Sequence, residues 1–203
     1  MPHHVLTLGS ALLSALLAAS AASAQAAPAA KSTDWLVHAA VLAAPPSLRE
    51  GAEVRAVGDN HELTVLRAGR NGMICLADLA PDSAFAASCY HDALEPFMER
   101  GRQLRRDGVA GAKRDEVRWQ EIEAGTLAMP PMSMVYNLRF ASEDFDPATT
   151  DPATGGRLHA FYIRGATTES TGLPAEPGDG PWLMNAGTPS AHVMIALPVK
   201  RPE

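Results

Sequence analysis

The chain has 203 residues, of which 17 are Lys or Arg and 23 are Asp or Glu, so its formal net charge is -6 at pH 7. This acidic balance disfavours non-specific nucleic-acid binding, and no basic stripe with interleaved aromatic residues is present. Glycine and proline contribute 16 residues each, whereas only 5% of the residues are aromatic. The composition predicts one loop-rich domain with a modest core.

Residues 1–24 predict a secretory signal peptide. An apolar core over residues 5–17 gives way to small residues that end in Ala22-Ser23-Ala24, an A-x-A type of cleavage site. An uncleaved membrane anchor is the alternative, although the apolar core is shorter than the roughly 20 residues that a span needs. We therefore expect a secreted or periplasmic protein with no stable membrane insertion after cleavage.

The mature chain begins with an Ala- and Pro-rich segment, residues 25–33, which predicts a disordered lead-in. Residues 34–203 show no repeat and no internal boundary, so they predict a single domain. Polar and apolar residues alternate over 53–57 and 62–67, as in half-buried strands. The Asn71-Gly72 pair that follows is a hairpin signal, so we expect an antiparallel meander over residues 53–77.

Cys75 and Cys89 are the only cysteines. The residues between them are small and show no strand alternation, so we expect a loop that hangs from the end of the meander. A disulfide would restrict the unfolded chain and stabilise such a loop by about 3 kcal/mol, and export would place it in an oxidising compartment. Two free buried cysteines are the alternative. The spacing fits neither a zinc knuckle nor a C-x-x-C redox pair.

Helical spacing follows the second cysteine. Apolar residues between Leu94 and Leu104 predict one helix, which starts close to Pro96. Residues 114–124 predict a second helix, with Gly125 as its C-terminal cap. Strands are predicted over 132–138, 159–163 and 192–198, with short extended structure at 182–184 and a long exposed loop over 141–157. The order of these elements predicts an α+β fold, with an antiparallel sheet, two central helices and long loops.

Two segments are distinctive as motifs. The first is Asn71-Gly72 leading into Cys75, with the second cysteine about a dozen residues further on. The second is the tail G-P-W-x-M-x-x-G-T-P-x-A-H-x-M, over residues 180–194. Together they resemble an uncharacterised family of exported bacterial proteins. The resemblance covers both ends of the mature chain and implies export and the disulfide, but it implies no reaction. The middle of the chain departs from the family pattern.

The tail also holds the candidate ligand-binding residues. Trp182, Thr188 and His192 could line a pocket, in which the indole offers an apolar wall and a hydrogen-bond donor. His192 and Met194 are two residues apart on a predicted strand, so their side chains share a face. An imidazole and a thioether together suit copper. A core strand with a hydrogen-bonded His192 and a gap-filling Met194 is the favoured interpretation.

No G-x-S-x-G, H-E-x-x-H or P-loop motif is present. We therefore lean against an enzyme and expect a non-catalytic binding or structural module of the bacterial cell envelope, with no cofactor. A periplasmic copper-binding protein is one alternative, and an enzyme whose site is not readable from local motifs is another. The sequence identifies no partner.

Overall fold

The computed structural model describes Met1 and residues 31–58, 60–78, 84–141 and 145–201. The helices are α1 (Thr33–Val41), α2 (Pro46–Arg49), α3 (Glu95–Arg106), α4 (Gly111–Glu123) and α5 (Thr168–Thr171). The strands are β1 (Glu53–Val57), β2 (Leu63–Arg67), β3 (Met73–Asp78), β4 (Ala84–His91), β5 (Met132–Ala141), β6 (Arg157–Ile163), β7 (Trp182–Met184) and β8 (His192–Leu197).

The strands form one sheet in the order β2-β1-β3-β4-β5-β6-β8-β7. Every neighbouring pair is antiparallel except β1 and β3, which are parallel. The predicted α+β class, with a mostly antiparallel sheet, is confirmed. Helices α3 and α4 follow one another between β4 and β5.

The predicted meander over residues 53–77 is wrong, because β2 and β3 lie on opposite sides of β1. The link from β2 to β3 crosses the end of β1, and Gly69 makes this crossing possible: a Cβ atom there would lie 2.6 Å from the backbone nitrogen of Glu53. Asn71 is not a hairpin residue here. Its side-chain amide donates to the carbonyl of Leu48, 2.8 Å away, and so ties the link to α2.

The predicted disulfide is confirmed: Cys75 and Cys89 are bonded, with their Cα atoms 4.1 Å apart. The predicted loop between them is wrong in its second half, because Ala84–His91 is a strand that pairs antiparallel with β3 and places the cysteines opposite each other. The residues of β4 are alternately more and less buried. The pattern escaped sequence reading because small residues occupy both faces of the strand. Residues 79–83 lie outside the described part.

One face of the sheet, which we call the disulfide face, carries both cysteines and packs against α1. The sulfur of Cys89 lies 3.4 Å from the carbonyl of Ala40 in that helix. Aromatic rings extend this apolar layer. Phe145 stacks on Phe85 and Phe140, with ring centroids 4.3 and 4.8 Å apart. The predicted exposed loop over 141–157 is therefore wrong at Phe145, which is buried in the core. Residues 142–144 lie outside the described part.

The opposite face, which we call the arginine face, is covered by α3 and α4. Leu94, Phe97 and Ile122 from this helical layer pack on Ile74 and Val135 of the sheet.

The two helices are joined by a forked ion pair. The Nε of Arg100 donates to Glu121 Oε2 at 2.8 Å, and its Nη2 donates to Oε1 at 2.6 Å. This ion pair links α4 to α3.

The predicted signal peptide lies almost wholly outside the described residues, as does most of the predicted lead-in. The last two residues of that lead-in belong to the first helix. Ser32 caps α1 by accepting a hydrogen bond from the backbone of Trp35 at 3.2 Å, and Thr33 is the first residue of the helix. None of the helices in the described part of the chain combines the length and apolar character that crossing a bilayer needs.

Candidate functional site

The tail residues predicted to bind a ligand lie on two neighbouring strands and their connecting turn. Trp182 on β7 is half-buried, packs on the apolar cluster of the arginine face and pairs in register with Met194. Thr188 lies in the turn before β8, where its hydroxyl donates to the carbonyl of Asn185 at 2.7 Å. The structure thus uses the Thr188 hydroxyl within its own turn. A ligand pocket formed by these residues stays a prediction.

His192 is buried on the arginine face. Its Nδ1–H donates to the carbonyl of Ser190 at 2.8 Å, and its ring lies 4.8 Å from that of Tyr162 on the neighbouring strand. Burial lowers the pKa of His192, while the Ser190 carbonyl and the charge of Asp115 act in the opposite direction.

Met194 belongs to the apolar cluster beneath α3 and α4. Strand alternation places it on the same face as His192, as predicted. Among the described residues, no group of three or more His, Cys, Asp and Glu side chains is placed to hold a metal ion. The copper hypothesis stays a prediction.

A charged network that sequence reading missed begins at the N-terminus of α3. The carboxylate of Glu95 accepts hydrogen bonds from the Tyr90 hydroxyl at 2.6 Å and from Arg102 Nη2 at 2.7 Å, and it also pairs with Arg55. Arg102 is only 9% exposed, and its Nε donates to Glu99 at 2.8 Å. Burial and the neighbouring Glu95 charge raise the pKa of Tyr90 well above its usual range, with Arg102 opposing them. Tyr90 is therefore a neutral hydrogen-bond donor.

Beside this network, α3, α4 and the sheet enclose a cleft of about 390 Å³, which we call the arginine cleft. Four arginines line it: Arg102 and Arg105 from α3, and Arg114 and Arg118 from α4. Sheet residues form its floor, including Val57, Leu76, Ser88 and Tyr162.

Arg118 is the most deeply placed cation of the cleft, and it is 8% exposed. Its guanidinium carbon lies 3.9 Å from the centroid of the Phe97 ring, a cation–π contact. Gly101 gives it room, because a Cβ atom at that position would lie 2.9 Å from Arg118 Nη1. Packing between the helices therefore positions this guanidinium.

Negative charge is scarce inside the cleft. Asp115 pairs with both Arg118 and Arg114. The Nε atoms of Arg114 and Arg118 are buried without a hydrogen-bond partner, and no ion pair of Arg105 occurs among the described residues. The cleft thus presents cations whose hydrogen-bonding capacity is incompletely used.

The pKa shifts agree with this geometry. Burial lowers the pKa of Arg118, and Arg114 adds to this effect while Asp115 opposes it. Burial also lowers the pKa of Arg105, with repulsion from Arg114 and Arg118 as the further causes. A guanidinium remains charged in proteins, so these directions report the cost of burying the charge, with repulsion between the arginines as a smaller contribution, rather than deprotonation.

The sequence did contain a signal for this cleft. Arg102 and Arg105 are three residues apart, and Arg114 and Arg118 are four apart, so each pair shares one helix face. Spacing within a helix does not show which neighbour the face meets, so the sequence alone does not bring the two pairs together. Glu95 joins the Arg102 network, whereas the His91 ring accepts from the backbone of Ala93.

Comparison of the chain with protein-family models, with curated proteins and with solved structures found no match. The resemblance of the cysteine segment and the tail to exported bacterial proteins therefore stays a prediction.

Proposed function

We propose that the chain is an exported, non-catalytic binding module of the bacterial cell envelope, and that it takes an organic anion in the arginine cleft. The observation that supports this proposal is the set of buried guanidiniums on α4. Arg118 pairs with Asp115 through Nη2, whereas Arg114 reaches the same carboxylate only through Nε at 3.7 Å. That distance is beyond a hydrogen bond, so the buried Nε atoms of both arginines lack a hydrogen-bond partner.

The energetic argument concerns the cost of these buried cations. A buried polar group without a partner is unfavourable, and a buried charge is more so. An anion in the cleft would accept hydrogen bonds from the free guanidinium N–H groups and would relieve the repulsion between Arg105 and its neighbours on α4. Charge-assisted bonds of this kind are about twice as strong as neutral ones. The guanidinium groups are thus preorganised for a carboxylate, sulfate or phosphate group.

The walls of the cleft favour an anion that carries an apolar body. Val57, Leu76 and Met98 line it together with the ring of Tyr162. Its volume of about 390 Å³ lies within the range of about 300–1,000 Å³ that is usual for small-molecule sites. A bare inorganic ion would leave this apolar surface in contact with water, whereas an aromatic phosphate or sulfate would cover it.

The exported location forms part of the same proposal. A disulfide persists in oxidising compartments, so the bond between Cys75 and Cys89 is compatible with a secreted or periplasmic protein. The A-x-A motif at residues 22–24 supports cleavage of the leader. The sequence contains no G-x-S-x-G, H-E-x-x-H or P-loop motif, which favours a binding role over a catalytic one.

Isothermal titration calorimetry with phenyl phosphate tests the proposal, with phenol as the neutral counterpart. We expect saturable binding of phenyl phosphate that weakens as salt is added, and much weaker binding of phenol. Arg105→Met removes a cation without breaking an ion pair of the described residues, and we expect it to lower the affinity about tenfold, the equivalent of one charge-assisted hydrogen bond.

Arg70→Met is the matched control. It makes the same change of charge at an exposed side chain, whose partner Glu50 is also exposed, and we expect the affinity to stay within about twofold. Equal binding of phenol and phenyl phosphate, or full affinity in Arg105→Met, would contradict the proposed role of the cleft.

A further inference from the structure

A second pocket lies on the disulfide face, on the far side of the sheet from the arginine cleft. We call it the β5–β6 pocket, because Tyr136 and Leu138 of β5 and Arg157 and His159 of β6 form its base. Residues 42–46 and Arg49, which lie in and before α2, also line it. Its volume is about 160 Å³.

The backbone pairing between β5 and β6 is interrupted beneath this pocket. Pairing runs as far as Val135 and Ala160 and resumes at the bridge between Arg139 and Gly156. In the interval, side chains take the place of backbone bonds.

The backbone N–H of Asn137 donates to His159 Nδ1 at 3.2 Å, and the Asn137 amide donates to the carbonyl of Leu158 at 2.7 Å. Because Nδ1 of His159 is an acceptor, the proton of the neutral ring resides on Nε2. Burial lowers the pKa of His159, and the charge of Arg157 adds to this effect, which favours the neutral ring. The pocket therefore contains a neutral imidazole whose Nε2–H is a donor with a fixed tautomer.

Two cations at the pocket lack acidic partners among the described residues. Arg49 donates only to backbone carbonyls, from Nε to Ala44 at 2.8 Å and from Nη2 to Leu42 at 3.2 Å. Arg157 donates from Nη2 to the carbonyl of Pro198 at 2.7 Å, and its Nε is buried without a hydrogen-bond partner. Asp151 is near enough for Arg157 to contribute to lowering its pKa, but it pairs with Lys200.

We propose that the β5–β6 pocket binds a small carboxylate with an apolar body, of about the size of benzoate. The carboxylate would accept from the free N–H groups of Arg49 and Arg157 and from His159 Nε2–H. The body would lie against Pro46 and Leu138, which are part of the apolar lining.

Size and charge select this class of ligand. An apolar cavity of about 150 Å³ accommodates benzene, so a volume of about 160 Å³ suits one ring or a short aliphatic chain. A planar carboxylate matches the fork of a guanidinium. A phosphate group would use much of the available volume for polar oxygens and would leave the apolar wall uncovered.

The test is a calorimetric titration of the disulfide-bonded mature chain with benzoate, with benzamide as a neutral ligand of the same shape. We expect saturable binding of benzoate with an affinity at least tenfold higher than that of benzamide. Arg157→Met should lower the benzoate affinity at least tenfold. Arg139→Met makes the same change of charge at an exposed position of β5, and it should leave the affinity within twofold.

A measurement on the wild type covers the case in which Arg157→Met does not fold. In a ¹H–¹⁵N NMR titration with benzoate, the backbone amide of Asn137 should shift strongly, because it donates to His159. Equal binding of benzamide, no saturable binding below about 10 mM, or an Asn137 amide that does not respond would overturn the proposal. Benzoate affinity that is lost in Arg105→Met and kept in Arg157→Met would also overturn it, because the ligand would then occupy the arginine cleft.

Discussion

The two faces of the sheet are both covered by helices, but different interactions hold them together. On the disulfide face, α1 packs on Cys75, Cys89 and small apolar residues, and the rings of Phe85 and Phe145 stack beside them. On the arginine face, α3 and α4 pack through an apolar patch, and a hydrogen-bonded network around Glu95 lies next to it.

The apolar layers contribute stability, whereas the incompletely paired arginines are suited to recognition. The apolar layer between α1 and the disulfide needs no ligand, because it consists of side chains that do not require hydrogen-bond partners. The polar groups of this face lie beside that layer, in the β5–β6 pocket. On a face with buried cations, the positions of the cations determine which ligands fit, and their N–H groups without a partner can donate hydrogen bonds to an anion. The polar groups of the Glu95 network form hydrogen bonds with one another. In contrast, Arg105, Arg114 and Arg118 have fewer hydrogen-bond partners than their guanidinium groups can use. The same face therefore contains a structural cluster and a binding cluster side by side.

The largest expected effect comes from removal of the disulfide. In the double variant Cys75→Ala, Cys89→Ala, we expect the free energy of unfolding to fall by about 3 kcal/mol, the chain-entropy value for a loop of about 15 residues; the two cysteines are 14 positions apart. Urea unfolding followed by circular dichroism measures the change.

Anion binding provides the control for this variant. Because the cysteines and the arginine cleft lie on opposite faces, the folded variant should bind phenyl phosphate with unchanged affinity. An unchanged free energy of unfolding, or an affinity that falls together with stability under native conditions, would show that the two faces are not separate in this way.

A smaller loss is expected from Glu95→Gln, which keeps the size of the side chain and removes the charge. Glu95 accepts from Tyr90, Arg55 and Arg102, and hydrogen bonds to charged groups contribute about 1.5–3 kcal/mol. We therefore expect the free energy of unfolding to fall by about 2 kcal/mol. Glu50→Gln is the control, because this exposed carboxylate pairs with the exposed Arg70 and should change stability by less than about 0.5 kcal/mol. Equal losses in the two variants would mean that burial does not set the strength of these pairs.

The smallest effect is a dependence of stability on pH, which involves one histidine on each face. Burial lowers the pKa of His159 and of His192, so the unfolded chain takes up protons first as the pH falls. Stability is therefore complete above the unfolded pKa of about 6.5 and falls as the pH drops below it. Melting temperatures between pH 7.5 and 5 measure this trend.

Substitution of either histidine should make the melting temperature depend less on pH, because it removes one group whose pKa is lower in the folded than in the unfolded chain. His192→Asn and His159→Asn are the test variants, and His91→Asn, at an exposed side chain, is the control that should keep the wild-type slope. A wild-type slope in both test variants would assign the dependence to other groups.

Local signals in the sequence determined the fold class and several elements. Alternation at 53–57 matches β1, Pro96 lies in the first turn of α3, and Gly125 follows α4 with a left-handed φ of 74°. These features depend on neighbours a few residues apart, so the sequence displays them directly. The disulfide was also predictable, because the sequence predicts export and its two cysteines allow a single intramolecular pair.

Only the tertiary structure decided the strand order, the existence of β4 and the location of the cleft. Asn71-Gly72 is a hairpin signal by local rules, but β1 pairs with both β2 and β3, so the link crosses instead of turning. In β4, alanines such as Ala86 and Ala87 occupy both faces, so the alternation of polar and apolar residues that marks a strand is not visible. This segment forms a strand because one of its faces is buried under α1, although its alanines have low strand propensity. Arg105 and Arg118 come together because α3 and α4 pack side by side on one sheet. Such contacts join residues that are distant in sequence. The packing of the helices on the sheet depends on which buried polar groups can find hydrogen-bond partners at the same time, and local sequence rules do not show this.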